Sequence, residues 1–296
     1  GCTTGREGER DMLVGAHVSN AGGISNAVDR AAALGAEALQ CFCSSPRGWA
    51  FKPVPDEQAA AFRQKASESG IGASFLHGIY LVTVATQDEA LLQRGLDSLT
   101  KYMHVASAMG ATGVIFHSGS HKGVGYDAVF EQAVTSLKQV LDATPPDTFL
   151  IMENSAGMGD HICSKFSEIG GIIKAVDNPR LKVCLDTQHC FAAGHDVTKP
   201  EGVAAMMDEF DREIGVDRLA AVHANDSKTP LASAVDRHEN LGQGQMGEDA
   251  FVAIMGHPAF RDVPFILEVP GLENNGPDKP NMDLLKELRG RARLSG

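Results

Sequence analysis

One alternation runs the length of the chain: a short, nearly continuous apolar run, a turn, then a longer stretch with helical spacing of apolar residues. The short runs fall at 12–16, 38–42, 72–76, 113–116, 148–152, 181–185, 219–222 and 263–267. Runs of this kind read as strands covered on both faces. The longer stretches fall at 24–34, 56–69, 88–109, 126–143, 161–176, 198–214, 247–256 and 281–293. In 24–34 and 88–109 apolar residues recur at i, i+3, i+4 and i+7, the mark of an amphipathic helix. Strict β–α order predicts an α/β fold with a parallel sheet. Eight such units in 296 residues predict one closed (β/α)8 TIM barrel rather than an open sheet. The segment 225–247 is the longest without a periodic pattern, and such loops in compact domains often carry function.

Apolar residues make up 43% and charged residues 22% of the chain, as in a globular protein. With 26 Lys+Arg against 38 Asp+Glu the formal charge is −12. That excludes a pervasively basic nucleic-acid binder but leaves a local basic patch open. No apolar run reaches the roughly 18 residues of a membrane span. Residues 1–11 hold no hydrophobic segment, so no secretory signal is expected in them. They are expected to be a disordered leader or an upstream misreading, with 12–296 as the folded domain. The six Cys show no C-x-x-C spacing, so they read as free thiols of a reducing, cytoplasmic setting.

The residues after each run carry the chemistry. Strand one runs into His17, strand two into Cys43 and Ser44, and strand three ends at His77. The next five lead to His117, Glu153, Asp186 (with His189 three residues on), His223 and Glu268. In a barrel these ends converge on one mouth, where active sites sit. Singly, such a His is most simply a hydrogen-bonded structural residue and such an Asp a helix N-cap. Together, buried carboxylates facing one another could not all stay ionised without cations. Mixed His and carboxylate ligation suits zinc or a similar first-row metal. In 225–247, Asp236 and His238 sit two apart, so in extended chain both point the same way. With His189 they complete a three-ligand set with room for water or substrate.

The motifs then become specific. GAHVSNAGG (15–23), SSPRGW (44–49), FLHGIYL (75–81), IFHSGSH (115–121) and MENSAG (152–157) appear in order. CLDTQHCFAAGHD (184–196), VHANDSK (222–228), DRHENLGQGQMG (236–247) and LEVPG (267–271) follow. In these segments the chain resembles the endonuclease IV family of apurinic/apyrimidinic (AP) endonucleases over nearly its whole length. The resemblance implies three metal ions per chain, usually zinc, with manganese an allowed substitute at one or more sites. It implies His77, His117 and Glu153 around the first ion. Glu153 would bridge to a second, shared with Asp186, His223 and Glu268. His189, Asp236 and His238 would hold the third. It further implies cleavage of duplex DNA 5′ to abasic sites in base-excision repair, leaving a 3′-OH and a 5′-deoxyribose phosphate. Glu153, as the bridge, would orient the nucleophile.

DNA contact is expected from the mouth loops. Arg47 and Trp49 on the second loop, and Tyr80 and Leu81 on the third, are the long, planar or apolar groups suited to fill the gap at a lesion. The resemblance implies Arg and Tyr roles at Arg47 and Tyr80. Lys122, Lys228, Arg237 and the backbone N–H groups of 242–247 are expected to meet phosphates. Gly78, Ile79 and Ser45 depart from the residues common in the family and bear on DNA handling. Two other readings stand beside this one: a metal-dependent sugar isomerase or epimerase on the same barrel, and a non-catalytic zinc-dependent lesion binder. The chain is expected to act as a monomer, with no membrane partner.

Overall fold

A computed structural model of the chain describes residues 12–295. The expected leader, 1–11, lies outside the described residues. Eight parallel strands close into a barrel and alternate with helices. The strands are β1 (Val14–His17), β2 (Ala38–Cys41), β3 (Ala73–His77), β4 (Gly113–His117), β5 (Phe149–Glu153), β6 (Leu181–Asp186) and β7 (Leu219–Ala224). Two short strands follow, β8 (Asp226–Ser227) and β9 (His238–Glu239), before β10 (Phe265–Leu267) completes the barrel. Closure comes from β10, which pairs with β7 on one side and with β1 on the other. The outer helices are α1 (Asn26–Ala33), α2 (Asp56–Glu68), α3 (Glu89–Ala108), α4 (Tyr126–Asp142) and α5 (Phe166–Val176). After the short α6 (Thr187–Ala192) come α7 (Pro200–Glu213), α8 (Glu248–Gly256) and α9 (Lys279–Leu294).

Two cores follow from the strand period of two. Outward positions such as Val14, Leu39, Leu76, Val114, Leu150 and Val222 pack with the helices in one large cluster. Inward positions Ala38, Phe75, Ile115, Ile151, Cys184, Ala221 and Ile266 form a second, fully buried cluster along the axis. That plug makes the barrel interior a packed core, each large side chain contributing about 1.5–3 kcal/mol. At the same level β1 carries Gly15, opposite Ala38. A Cβ there would fall 2.0 Å from the Ala38 carbonyl oxygen, so the ring closes only around glycine. Helix ends are signalled locally: the Asp88 side chain caps α3 through Leu91 N–H, and Asp278 caps α9 through Asn281 N–H.

Three features depart from the sequence pattern. The segment 225–247 is not structureless: β8 and β9 pair antiparallel within it, Ser227 opposite His238. Strands of two residues are too short to show alternation. Helix α6 starts directly after β6, capped by the Asp186 side chain, which accepts from His189 N–H at 3.1 Å. Six residues cannot display a helical period. The pattern at 161–176 becomes helical only at Phe166, because Cys163 takes a left-handed conformation (φ 69°) and His161 bridges to Ser120.

Candidate metal centre

Two residues above the apolar plug, each strand offers its next inward position. These are His17, Gln40, His77, His117, Glu153, Asp186, His223 and, just past β10, Glu268. Parallel register holds them level, with His117 beside Glu153 and Asp186 beside His223. Helix α6 adds His189 above Asp186, and the β8–β9 hairpin brings in Asp236 and His238.

Their donor atoms gather into three clusters, each within 4.8 Å: His77, His117 and Glu153; Glu153, Asp186, His223 and Glu268; and Asp186, His189 and His238. One Glu153 oxygen lies 3.2 Å from His77 Nε2 and 2.8 Å from His117 Nε2. Its other oxygen lies 2.9 Å from His223 Nδ1, which is also 3.0 Å from Glu268 Oε1. Asp236 lies 3.0 Å from His189 Nε2 and 3.3 Å from His238 Nε2. Both of these imidazoles also face Asp186, at 3.7 and 3.3 Å, a carboxylate that the resemblance assigns to the second ion alone.

Among the described residues, the Nε2 atoms of His189 and His238 are buried without a hydrogen bond, although carboxylate oxygens stand within 3.3 Å of both. Donors that crowd one another off the N–H axis surround a common point, as ligands of an ion do. The field agrees. Burial alone would raise the Glu153 carboxyl, yet His223 and His117 hold it well below the usual range. Burial disfavours charge on His189, but Asp186 and Asp236 push it up to about 10. Burial likewise opposes charge on His238, and Asp186 drives it well above the ordinary value. The site favours cationic charge at its centre, which a divalent ion supplies by displacing these protons. His17 is the exception: burial lowers it to about 4, and its Nδ1 accepts from Gln40 Nε2–H at 2.9 Å.

A cleft of about 630 Å³ opens over this ring. Arg47, Tyr80 and Phe42 line one side, and Val269, Pro270, Asn274, Gly276 and Pro277 line the loop after β10.

Comparison with known proteins narrows the site's meaning. The family model described as "Xylose isomerase-like TIM barrel" matches residues 28–289. A protein of Natronomonas pharaonis named "Probable endonuclease 4" is 38% identical over 278 residues, spanning 94% of this chain and 98% of its own length. The crystal structure of endonuclease IV from Thermus thermophilus superposes with a TM-score of 0.82 at 33% identity, covering 93% of this chain and 98% of that one. This chain belongs to the endonuclease IV family. A D-tagatose 3-epimerase-like protein shares the barrel at 15% identity and a TM-score of 0.75 over 96% of this chain and 99% of that one; that likeness shows the fold alone.

In this endonuclease IV family member the expected DNA-facing residues fall into different settings. Arg47 and Tyr80 share the cleft with the ring. Tyr80 is 54% exposed and stacks at 25° to His117, their ring centres 6.5 Å apart. Leu81 is exposed beside it. Trp49 lies outside the cleft lining. It is half-buried on the core, with the Arg94 guanidinium 4.6 Å over its ring. Lys122, Lys228 and Arg237 are exposed on mouth loops.

The backbone N–H groups of 242–247 do not face outward as expected. Gly242, Gly244 and Gly247 donate to Asp226 Oδ2 at 2.9, 3.2 and 3.3 Å, and Met246 donates to Oδ1 at 3.0 Å. The loop wraps an internal carboxylate instead of a phosphate. A Cβ on Gly244 would lie 2.4 Å from Asp226 Oδ1, so glycine there serves close approach to a side chain. Neither the carboxylate of Asp226, within VHANDSK, nor the 274–277 part of the lining is marked as a site element by the sequence. An isolated Asp has no partner pattern, and the loop after β10 has no periodicity.

Proposed function

We propose that this chain is a zinc-dependent AP endonuclease that hydrolyses the phosphodiester 5′ to an abasic site in duplex DNA, leaving a 3′-OH and a 5′-deoxyribose phosphate, as a step of base-excision repair. One observation carries this reading: three ligand clusters joined by shared carboxylates lie in the same cleft as Arg47 and Tyr80. His77, His117 and Glu153 would hold the first zinc, and Glu153, Asp186, His223 and Glu268 the second. His189, Asp236 and His238, with Asp186 alongside, would hold the third; manganese is an allowed substitute. When bound, such ions supply hydroxide near neutral pH and offset charge on the phosphate and the leaving 3′ oxygen.

The chain's own groups do the rest. Glu153, buried and kept ionised, faces both the first and second clusters and so orients the nucleophile between them. Arg47, Tyr80 and Leu81 enter the gap left by the missing base, where unstacking costs least. Trp49, under Arg94, supports the loop that carries Arg47. Lys122, Lys228 and Arg237 meet phosphates. The protein works as a cytoplasmic monomer on the nucleoid, and its acidic body makes binding to intact duplex weak and salt-sensitive. No helix among the described residues is long and apolar enough to cross a membrane.

The test is direct. Zinc-loaded protein is expected to nick a duplex with one abasic site on its 5′ side, to leave intact duplex uncut, and to stop on chelation. Inertness towards that duplex together with turnover of free ketoses would overturn the reading in favour of the epimerase-type alternative. Tight lesion binding with no cleavage would favour the non-catalytic binder.

A further inference from the structure

Strand β2 is the one barrel strand whose end showed no His, Asp or Glu, and its inward position is Gln40. Its side chain is fully buried and makes three hydrogen bonds. Nε2 donates to Glu268 Oε2 at 2.8 Å and to His17 Nδ1 at 2.9 Å. Oε1 accepts from His223 Nε2–H at 2.7 Å. Charge decides the amide's orientation, because the reverse would set its carbonyl against the Glu268 carboxylate.

The consequence lies in the imidazoles. His77 and His189 each give Nδ1–H to a backbone carbonyl, of Gly78 and Asn154, both at 2.7 Å. Each then turns Nε2 to the carboxylates. His223 is reversed: Nδ1 faces Glu153 and Glu268, at 2.9 and 3.0 Å. A ring nitrogen ligates through its lone pair, and the hydrogen bond at the other nitrogen decides which one is free. For His223 that bond ends on a side chain.

We propose that Gln40 is a positioning residue of the metal centre: it fixes His223 as the Nε2–H tautomer with Nδ1 open to an ion, and holds Glu268 towards the same point. The inference rests on the metal-centre reading of His223 and Glu268. Two readouts test it without DNA: zinc affinity of the metal-stripped protein in competition with a chromophoric chelator, and the ring N–H signals of the zinc-loaded protein by NMR. Wild type is expected to show His223 protonated at Nε2, with that proton protected from exchange. Gln40→Met, similar in volume, is expected to lose the protected signal and to bind one zinc per chain about 10–100-fold more weakly. Wild-type zinc affinity in Gln40→Met overturns the proposal. So does a wild-type His223 carrying its proton on Nδ1, which requires no variant. A zinc-loaded wild type that fails to nick abasic duplex would count against the endonuclease reading alone.

Discussion

Two rings of side chains on the same strands, two residues apart, do opposite work. The lower ring, Ala38, Phe75, Ile115, Ile151, Cys184, Ala221 and Ile266, is apolar and buried. The upper ring, from Gln40 to Glu268, is polar and carries most of the donor atoms of the clusters. Both face the axis because side chains on one face recur every second residue. The lower ring stabilises the barrel and keeps water from entering from below. The upper ring concentrates charge that folding alone does not favour, since buried carboxylates and imidazoles lose hydration. The barrel thus sets a reactive layer directly upon a rigid one, and substitutions in the two layers should separate activity from stability.

The largest separation is expected at Glu153 and Ile151, neighbours on β5. Glu153→Gln should cut the nicking rate on the order of 10³-fold or more, the scale of losing a central electrostatic group in a secluded site. Without metal its denaturant midpoint should fall as well, because His117 and His223 lose the carboxylate that balances their charge, but the loss of nicking should far exceed any loss of folded protein. Ile151→Ala should cost about 2–5 kcal/mol in denaturant unfolding, with nicking per folded molecule within a few-fold of wild type. An Ile151→Ala protein of normal stability and no activity would break the division between the layers.

Acidity should sharpen the comparison, because its sign changes with metal. Without metal, His189 is raised from 6.5 to about 10. Its contribution to stability is then fully present below pH 6.5 and is lost as pH rises through about 10. With metal, the imidazoles must be deprotonated to ligate, so ions should leave on acidification, about tenfold in affinity per pH unit for each displaced proton. Melting curves of stripped and loaded protein from about pH 5 to 10 should slope in opposite directions. The lower ring contains no group that ionises near neutral pH: burial lifts the Cys184 thiol to about 12.

Smaller effects belong to the rim. Tyr80→Ala should weaken binding to abasic duplex by about 1–3 kcal/mol, the usual worth of an aromatic ring against bases. Its metal content should be unchanged. Lys228→Ala should do least, reducing the salt dependence of DNA binding by about one phosphate contact, read from affinities between low and moderate salt.

Most of the barrel was legible because an apolar run of four or five residues is a strong signal when it recurs eight times. The polar ring was legible for the same reason: a His, Asp or Glu stands at nearly every strand end. Gln40 escaped notice because an amide carries no charge, although it sits two residues after Ala38, as Glu153 sits two after Ile151. The offset, rather than the residue type, would have found it. Trp49 was expected to face DNA; it lies outside the lining of the cleft, half-buried with the Arg94 guanidinium over its ring, a partner 45 residues away that local sequence does not show. The glycines of 242–247 suggested a phosphate cradle; their amides instead satisfy Asp226, an acceptor that local sequence cannot pair with them. Helix α6 and the β8–β9 hairpin are too short for periodicity, yet they carry His189 and His238 to the ring.

As proposed above, the upper ring together with His189, Asp236 and His238 works as one three-ion unit. The most direct measurement is the nicking rate on an abasic duplex as metal-stripped protein is titrated with zinc and bound metal is counted by elemental analysis. The rate is expected to stay low at one zinc per chain and to reach its full value only as the third binds. Full activity with a single zinc per chain would contradict it.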